Sequence, residues 1–133
     1  MRRFVDTNVF LYAILKHSEF GETARKILEA IEAGEAAVTS TLVLCEIAWV
    51  LESMGRQGNI KPTLEMILSL GNLEVADLDS DDLIVGANYM ALYRLDFNDG
   101  VNIAIMERLG ITEAYSNDEK HLGRVDFIRM MFE

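Results

Sequence analysis

Apolar positions recur along this chain in two rhythms. Short apolar runs at residues 3–6, 36–39, 72–76 and 112–116 are bounded by turn-prone residues and read as buried strands, with a fifth at 125–128. Between them, longer stretches repeat at helical spacing. The first fits residues 9–15. The second fits 20–33, where Ala24, Ile27, Leu28 and Ile31 share a face and Gly34 stands at the expected end. Thr39, Ser40 and Thr41 offer caps for a third helix running through Leu51 and stopping near Gly55, and Pro62 suits the first turn of a fourth to Leu70. Asp79 or Ser80 caps a fifth towards Tyr93, another spans 98–109, and a short helical turn is expected to open near Asn117. Strands alternating with helices predict right-handed crossovers, hence an α/β fold whose central parallel sheet of four to five strands is covered on both faces.

Length and composition narrow the classes. The 133 residues suit one compact domain, with no repeat or linker, and half of them are apolar. The longest nearly apolar stretch, 42–51, is interrupted by Glu46 and is about half of the roughly 20 residues a membrane helix needs. Asp6 and Asn8 follow Arg2 and Arg3 where a signal peptide would be apolar, so a cytoplasmic protein without membrane contact is expected. The single cysteine, Cys45, reads as an inert buried thiol. A net charge of −10 excludes a broad basic face for gripping nucleic acid. It is compatible with phosphate chemistry if some carboxylates hold cations, which reverse the local field.

Four acids stand out by position. Asp6 ends the first strand, Asp118 follows the fourth, and Asp99 opens the last long helix, so all three can converge outside the carboxyl ends of the strands. Glu46 interrupts an otherwise apolar helix. A buried carboxylate is costly unless a cation, a hydrogen-bond network or a solvated cleft accompanies it, and a metal satisfies each condition. Magnesium takes oxygen ligands; it would polarise a phosphate and activate a water, so no histidine base is required. Zinc is disfavoured, because the lone cysteine stands far in sequence from His17 and His121. An acidic phosphoacceptor pocket would want paired early acids and a later lysine, whereas Asp6 stands alone.

Residues 4–12, Phe-Val-Asp-Thr-Asn-Val-Phe-Leu-Tyr, resemble the opening motif of PIN-domain ribonucleases. Leu44-Cys45-Glu46-Ile47 resembles the second motif, residues 97–104 the third, and residues 115–122 the fourth. Order, separation and total length together resemble the small VapC-type toxins over the whole chain. The resemblance implies a three-layer α/β/α sandwich and Mg²⁺- or Mn²⁺-dependent endonucleolytic cleavage of RNA by Asp6, Glu46, Asp99 and Asp118. It also implies frequent homodimers and a small antitoxin partner, which for so acidic a protein would be basic. Gly100 stands where many members have alanine, Ser116 replaces the commoner threonine, and Asp96 adds a second acid to the third motif, as an auxiliary ligand beside Asp99. A catalytically inactive PIN-like interaction module is the alternative function.

Thr7, Asn8, Ser116 and Asn117 are candidates for orienting the carboxylates, although turn and cap chemistry explains them as well. Lys120, His121 and Arg124 are weaker candidates for contacting substrate phosphate, with His121 read first as an exposed helix residue. Glu46 has a structural alternative, an ion pair with Arg3 or Arg94. Tyr12, Trp49, Tyr89 and Tyr93 are expected to pack rather than stack on bases, and the methionines to fill gaps.

Overall fold

The computed structural model describes residues 2–133. Strands β1 (Arg3–Val5), β2 (Ala37–Ser40), β3 (Leu73–Ala76), β4 (Glu113–Tyr115) and β5 (Arg129–Met131) form one parallel sheet in the order β3-β2-β1-β4-β5. Helices α1 (Thr7–Ile14), α2 (Gly21–Glu32), α3 (Thr41–Ser53), α4 (Ile60–Leu68), α5 (Ser80–Tyr93) and α6 (Phe97–Arg108) complete an α/β/α sandwich. In the central strands Phe4, Val5, Ala37 and Val38 are almost fully buried, as parallel strands covered on both faces must be. Strand order reverses at the centre, where Phe4 of β1 pairs with Val38 on one side and Ala114 on the other. A ligand crevice is expected at the carboxyl end of that reversal.

Two expected elements differ. The fifth strand lies at Arg129–Met131 instead of 125–128; Val125 and Ile128 are buried anchors of the segment leading into it. No helix opens at Asn117. The Ser116 hydroxyl accepts from the Asp118 N–H at 3.1 Å, a local bond that competes with helical pairing, and the helical turn comes later, as a 3-10 turn at Leu122–Arg124.

Helix α3 corrects two side-chain readings. Its core face is Leu42, Val43, Ile47 and Leu51, which leaves Cys45 exposed and Trp49 52% exposed on the opposite side. Of the methionines, Met106 is buried as a gap filler, but Met54, Met66 and Met90 are exposed. Tyr12, Tyr89 and Tyr93 are half-buried, and Tyr89 stacks on Tyr93.

Helices α5 and α6 approach each other at backbone distance through Gly86 and Gly100: a Cβ on Gly100 would lie 2.3 Å from the Gly86 carbonyl oxygen. The start of α5 is fixed independently. Asp79 and Asp82 form a capping box, and the buried Asp82 carboxylate accepts two bonds from Arg108 of α6, at 3.0 and 2.9 Å. Burial opposes ionisation of Asp82, yet Arg108 and the Asp79 N–H outweigh it and hold the carboxyl below its usual range.

Candidate active site

Asp6 leaves β1 in extended conformation and caps α1. One carboxylate oxygen accepts from the Thr7 N–H and the other from the Ser116 hydroxyl, both at 2.8 Å. Ser116 is fully buried just beyond β4, and its oxygen also takes the Asp118 N–H. A single hydroxyl therefore joins the ends of β1 and β4 across the reversal of strand order. Asp118 in turn lies 2.9 and 3.0 Å from Nδ1 of His121.

Glu46 comes from the second turn of α3. Its Oε1 accepts from the amide of Asn102 at 3.0 Å, while the Asn102 oxygen accepts from the Ser40 hydroxyl at 2.7 Å. Ser40 is also the cap of α3, accepting from the Val43 N–H, so the helix start and the orientation of Glu46 are set by one chain of bonds. The ion pairs with Arg3 or Arg94 do not form: Arg3 pairs with Glu35 and Glu113, and the Arg94 carbonyl accepts from Arg124.

Asp99 sits half-buried in the first turn of α6, and Asp96 is exposed at its cap position. One oxygen of each lies within 4.8 Å of the other and of a His121 ring nitrogen. Burial, then the charges of Asp6 and Asp118, push Asp99 up to about 6, with Asp96 adding last. Burial likewise raises Glu46 to about 7, reinforced by Asp6 and Asp99, and raises Asp6, with Asp118 contributing.

Whether these residues suit a divalent cation can be judged from what surrounds them. No Lys or Arg among the described residues pairs with Asp6, Glu46, Asp96, Asp99 or Asp118. The bonds to Asp6 and Glu46 come from neutral donors, which orient these carboxylates without discharging them, while Asp118 meets His121. The turn after Asp6 buries Asn8 Oδ1 with no hydrogen-bond partner among the described residues. Four carboxylates without a Lys or Arg partner, beside the imidazole of His121, fit a divalent cation such as Mg²⁺ or Mn²⁺.

The remaining candidates are placed as follows. Asn8 donates to the side-chain oxygen of Asn117 at 2.9 Å, and Tyr12 donates to the same oxygen, so Asn117 is tied to α1 and bonded to none of the four acids. Lys120 is exposed in the loop beyond Asp118, whereas Arg124 donates to the Arg94 carbonyl at 2.7 Å. Asn102, Ser40 and the engaged position of His121 are additions. Asn102 interrupts the apolar run of α6 as Glu46 interrupts that of α3, and that signal would have found it.

The raised carboxyls carry a stability consequence for the metal-free protein. A group whose folded pKa exceeds its ordinary value binds more protons when folded, so its contribution is present at low pH and is lost as pH rises. For Glu46 and Asp99 that window runs from about pH 4 to about pH 7. In EDTA, thermal denaturation is expected at higher temperature near pH 5.5 than near pH 8, with the difference reduced in Glu46→Gln and by magnesium. Equal melting at both values would mean that the cluster is not strained by its own charge.

The sequence model of the PIN domain family matches residues 3–128. Among solved structures, the fold is similar to VapC20 of Mycobacterium tuberculosis, a sarcin–ricin loop cleaving toxin, at 20% identity over 96% of this chain and 92% of that one, with a TM-score of 0.76. It is also similar to VapBC2 from Rickettsia felis bound to a promoter DNA fragment, at 18% identity, 98% of both chains and a TM-score of 0.75. For DNA-bound VapBC from Salmonella typhimurium the values are 20%, 98% of both chains and 0.73. No curated protein matches the chain. The match across nearly the whole length, on a parallel sheet of this order, establishes that the chain belongs to the PIN-domain family.

Proposed function

We propose that this single PIN domain is a Mg²⁺- or Mn²⁺-dependent endoribonuclease of the cytoplasm. In this reading it is the toxin of a toxin–antitoxin pair, with a small basic antitoxin as partner and a homodimer as working form. The observation that carries the reading is the convergence at one end of the sheet of Asp6, Glu46, Asp99 and Asp118, the first two oriented by neutral donors and none of the four paired with Lys or Arg. The toxin assignment is supported by the structural neighbours, VapC and VapBC proteins.

In this assignment Asp6, Glu46, Asp99 and Asp118 hold the cation, and Asp96 stands at the rim as an auxiliary. When bound, the ion would supply Lewis-acid polarisation of the phosphate and a more acidic water. The chain's own residues do the positioning. Ser116 fixes an oxygen of Asp6 and the backbone of Asp118 together, Asn102 aims Glu46, and the Thr7 N–H fixes the other oxygen of Asp6. His121 steadies Asp118. Lys120, in the exposed loop after Asp118, is available to the substrate backbone.

The test is cleavage of single-stranded RNA by highly purified protein with magnesium or manganese, abolished by EDTA. Ser116→Ala should lower kcat/KM about tenfold to a hundredfold, the usual consequence of removing a residue that orients a metal ligand. Ser116→Thr, which keeps the hydroxyl, should retain most activity. Cleavage that survives EDTA would overturn the metal-dependent assignment.

A further inference from the structure

Beside the carboxylates lies a feature that hydrolysis alone does not need. A groove of about 560 Å³ starts at Asp118 and runs past Tyr12, Phe20 and Asn117. A neighbouring hollow of about 490 Å³ shares Phe20, Asn117 and Glu119 with it and extends to Phe132. Its aromatic residues are held by one another: Phe20 lies 5.2 Å from Tyr12 and 5.7 Å from Phe132, centre to centre, and His17, which lies outside the groove, stacks on one face of Phe20 at 5.1 Å. Phe20 remains only half-buried despite these contacts.

The polar groups of the groove have a definite polarity. The side-chain oxygen of Asn117 already accepts from Asn8 and from Tyr12, which fixes the amide, and its NH₂ meets no acceptor among the described residues. Glu119 is exposed and pairs with no cation among the described residues. A free carboxylate beside a path for RNA phosphates is repulsive unless the substrate brings donors to it.

The geometry points to a nucleobase subsite: the groove takes one unpaired guanine of the RNA, next to the scissile phosphate, stacked on the face of Phe20 that His17 leaves free. This rests on the nuclease reading. Aromatic side chains are the common platform for unpaired bases, which are then read through hydrogen bonds on their edges. Guanine is the base whose pairing edge sets an acceptor, O6, beside two donors, N1–H and the N2 amine. The Asn117 NH₂ serves the acceptor, and the two oxygens of Glu119 serve the two donors. Adenine and cytosine offer one donor group there, and uracil one N–H. Lys120, which also lines the groove, serves the adjoining phosphate.

The experiment first maps a cleaved bond in a single-stranded RNA, then varies the nucleotide on each side of it among guanine, the other three bases and an abasic residue. On one side, guanine is expected to exceed the abasic residue by about tenfold or more in kcat/KM. Phe20→Leu should lose about tenfold on the guanine RNA and nothing on the abasic one. Glu119→Gln, at an exposed position where folding is not at stake, should erase the preference for guanine over adenine. Binding of end-labelled RNA with calcium replacing magnesium gives a second readout independent of cleavage: the guanine RNA should bind wild type about tenfold tighter than Phe20→Leu. If no RNA is cleaved but this binding difference persists, the nuclease reading fails and the subsite stands. Equal rates and equal binding for all five RNAs overturn the subsite, and preference for another base overturns its assignment to guanine.

Discussion

Replacing Asp6 by asparagine is expected to reduce metal-supported RNA cleavage by at least about a hundredfold while leaving the metal-free protein as stable as wild type or more so. Loss of a residue that merely orients a ligand already costs about tenfold to a hundredfold, so removing the central charge should do no less. Asp6 is central in a literal sense. It lies where strand order reverses, it is bonded through Ser116 to the backbone of Asp118, and its charge raises both Glu46 and Asp99. Neutralising it would relieve that repulsion, and asparagine retains an acceptor for the Thr7 N–H, so the cap of α1 persists. Steady-state cleavage with magnesium and melting in EDTA, measured on the same preparation, separate the two effects. Activity within about threefold of wild type would remove Asp6 from the metal site; a large drop in melting temperature would assign it a structural role.

Gly100→Ala is expected to destabilise the protein by about 3 kcal/mol, at the upper end of the usual range for overpacking, and to lower Tm by roughly 10 °C. The added Cβ would stand 2.3 Å from the Gly86 carbonyl oxygen and 3.1 Å from the Met90 nitrogen, both backbone atoms that cannot rotate away. Gly86 has the reciprocal problem, since its Cβ would meet Val101 at 2.6–2.8 Å. Relief requires α5 and α6 to separate, and their spacing is also held by the paired Asp82 and Arg108. The substitution is informative because many PIN domains carry alanine at this place in the motif; here the contact with Gly86 forbids it. Because Asp99 precedes Gly100 directly, separation of the helices should lower activity as well. A urea unfolding midpoint indistinguishable from wild type would show that the helices can part freely.

The sequence made parts of this site legible because they violate local rules. Glu46 was visible as a charge inside an apolar helix, and Asp6 and Asp118 as acids at strand ends. Asn102 carries the same signal within α6, but an amide is a weaker violation than a carboxylate. The exposed faces of α3 were illegible for the opposite reason: with apolar residues all round, the helix has no periodic phase, and nothing local says that Cys45 and Trp49 turn outward. The run at 125–128 could serve as a strand or as an anchor, and the strand formed one step later. His121 was misjudged because its meeting with Asp118 depends on the loop before a 3-10 turn rather than on a regular helix. Burial distinguishes Asp99, half-buried, from Asp96, exposed, a difference that spacing does not report.

The serine bond to Asp6 spans 110 residues of chain. Strand β1 is made first and pairs on one side with β2, but its other edge stays open until β4 is available. As the chain leaves the ribosome, the early half can thus assemble without Ser116 or Asp118 at the site. Such long-range pairing closes late. The carboxylate cluster is therefore completed only when most of the chain has been synthesised, so fragments ending before β4 would carry Asp6, Glu46 and Asp99 without Ser116 and Asp118.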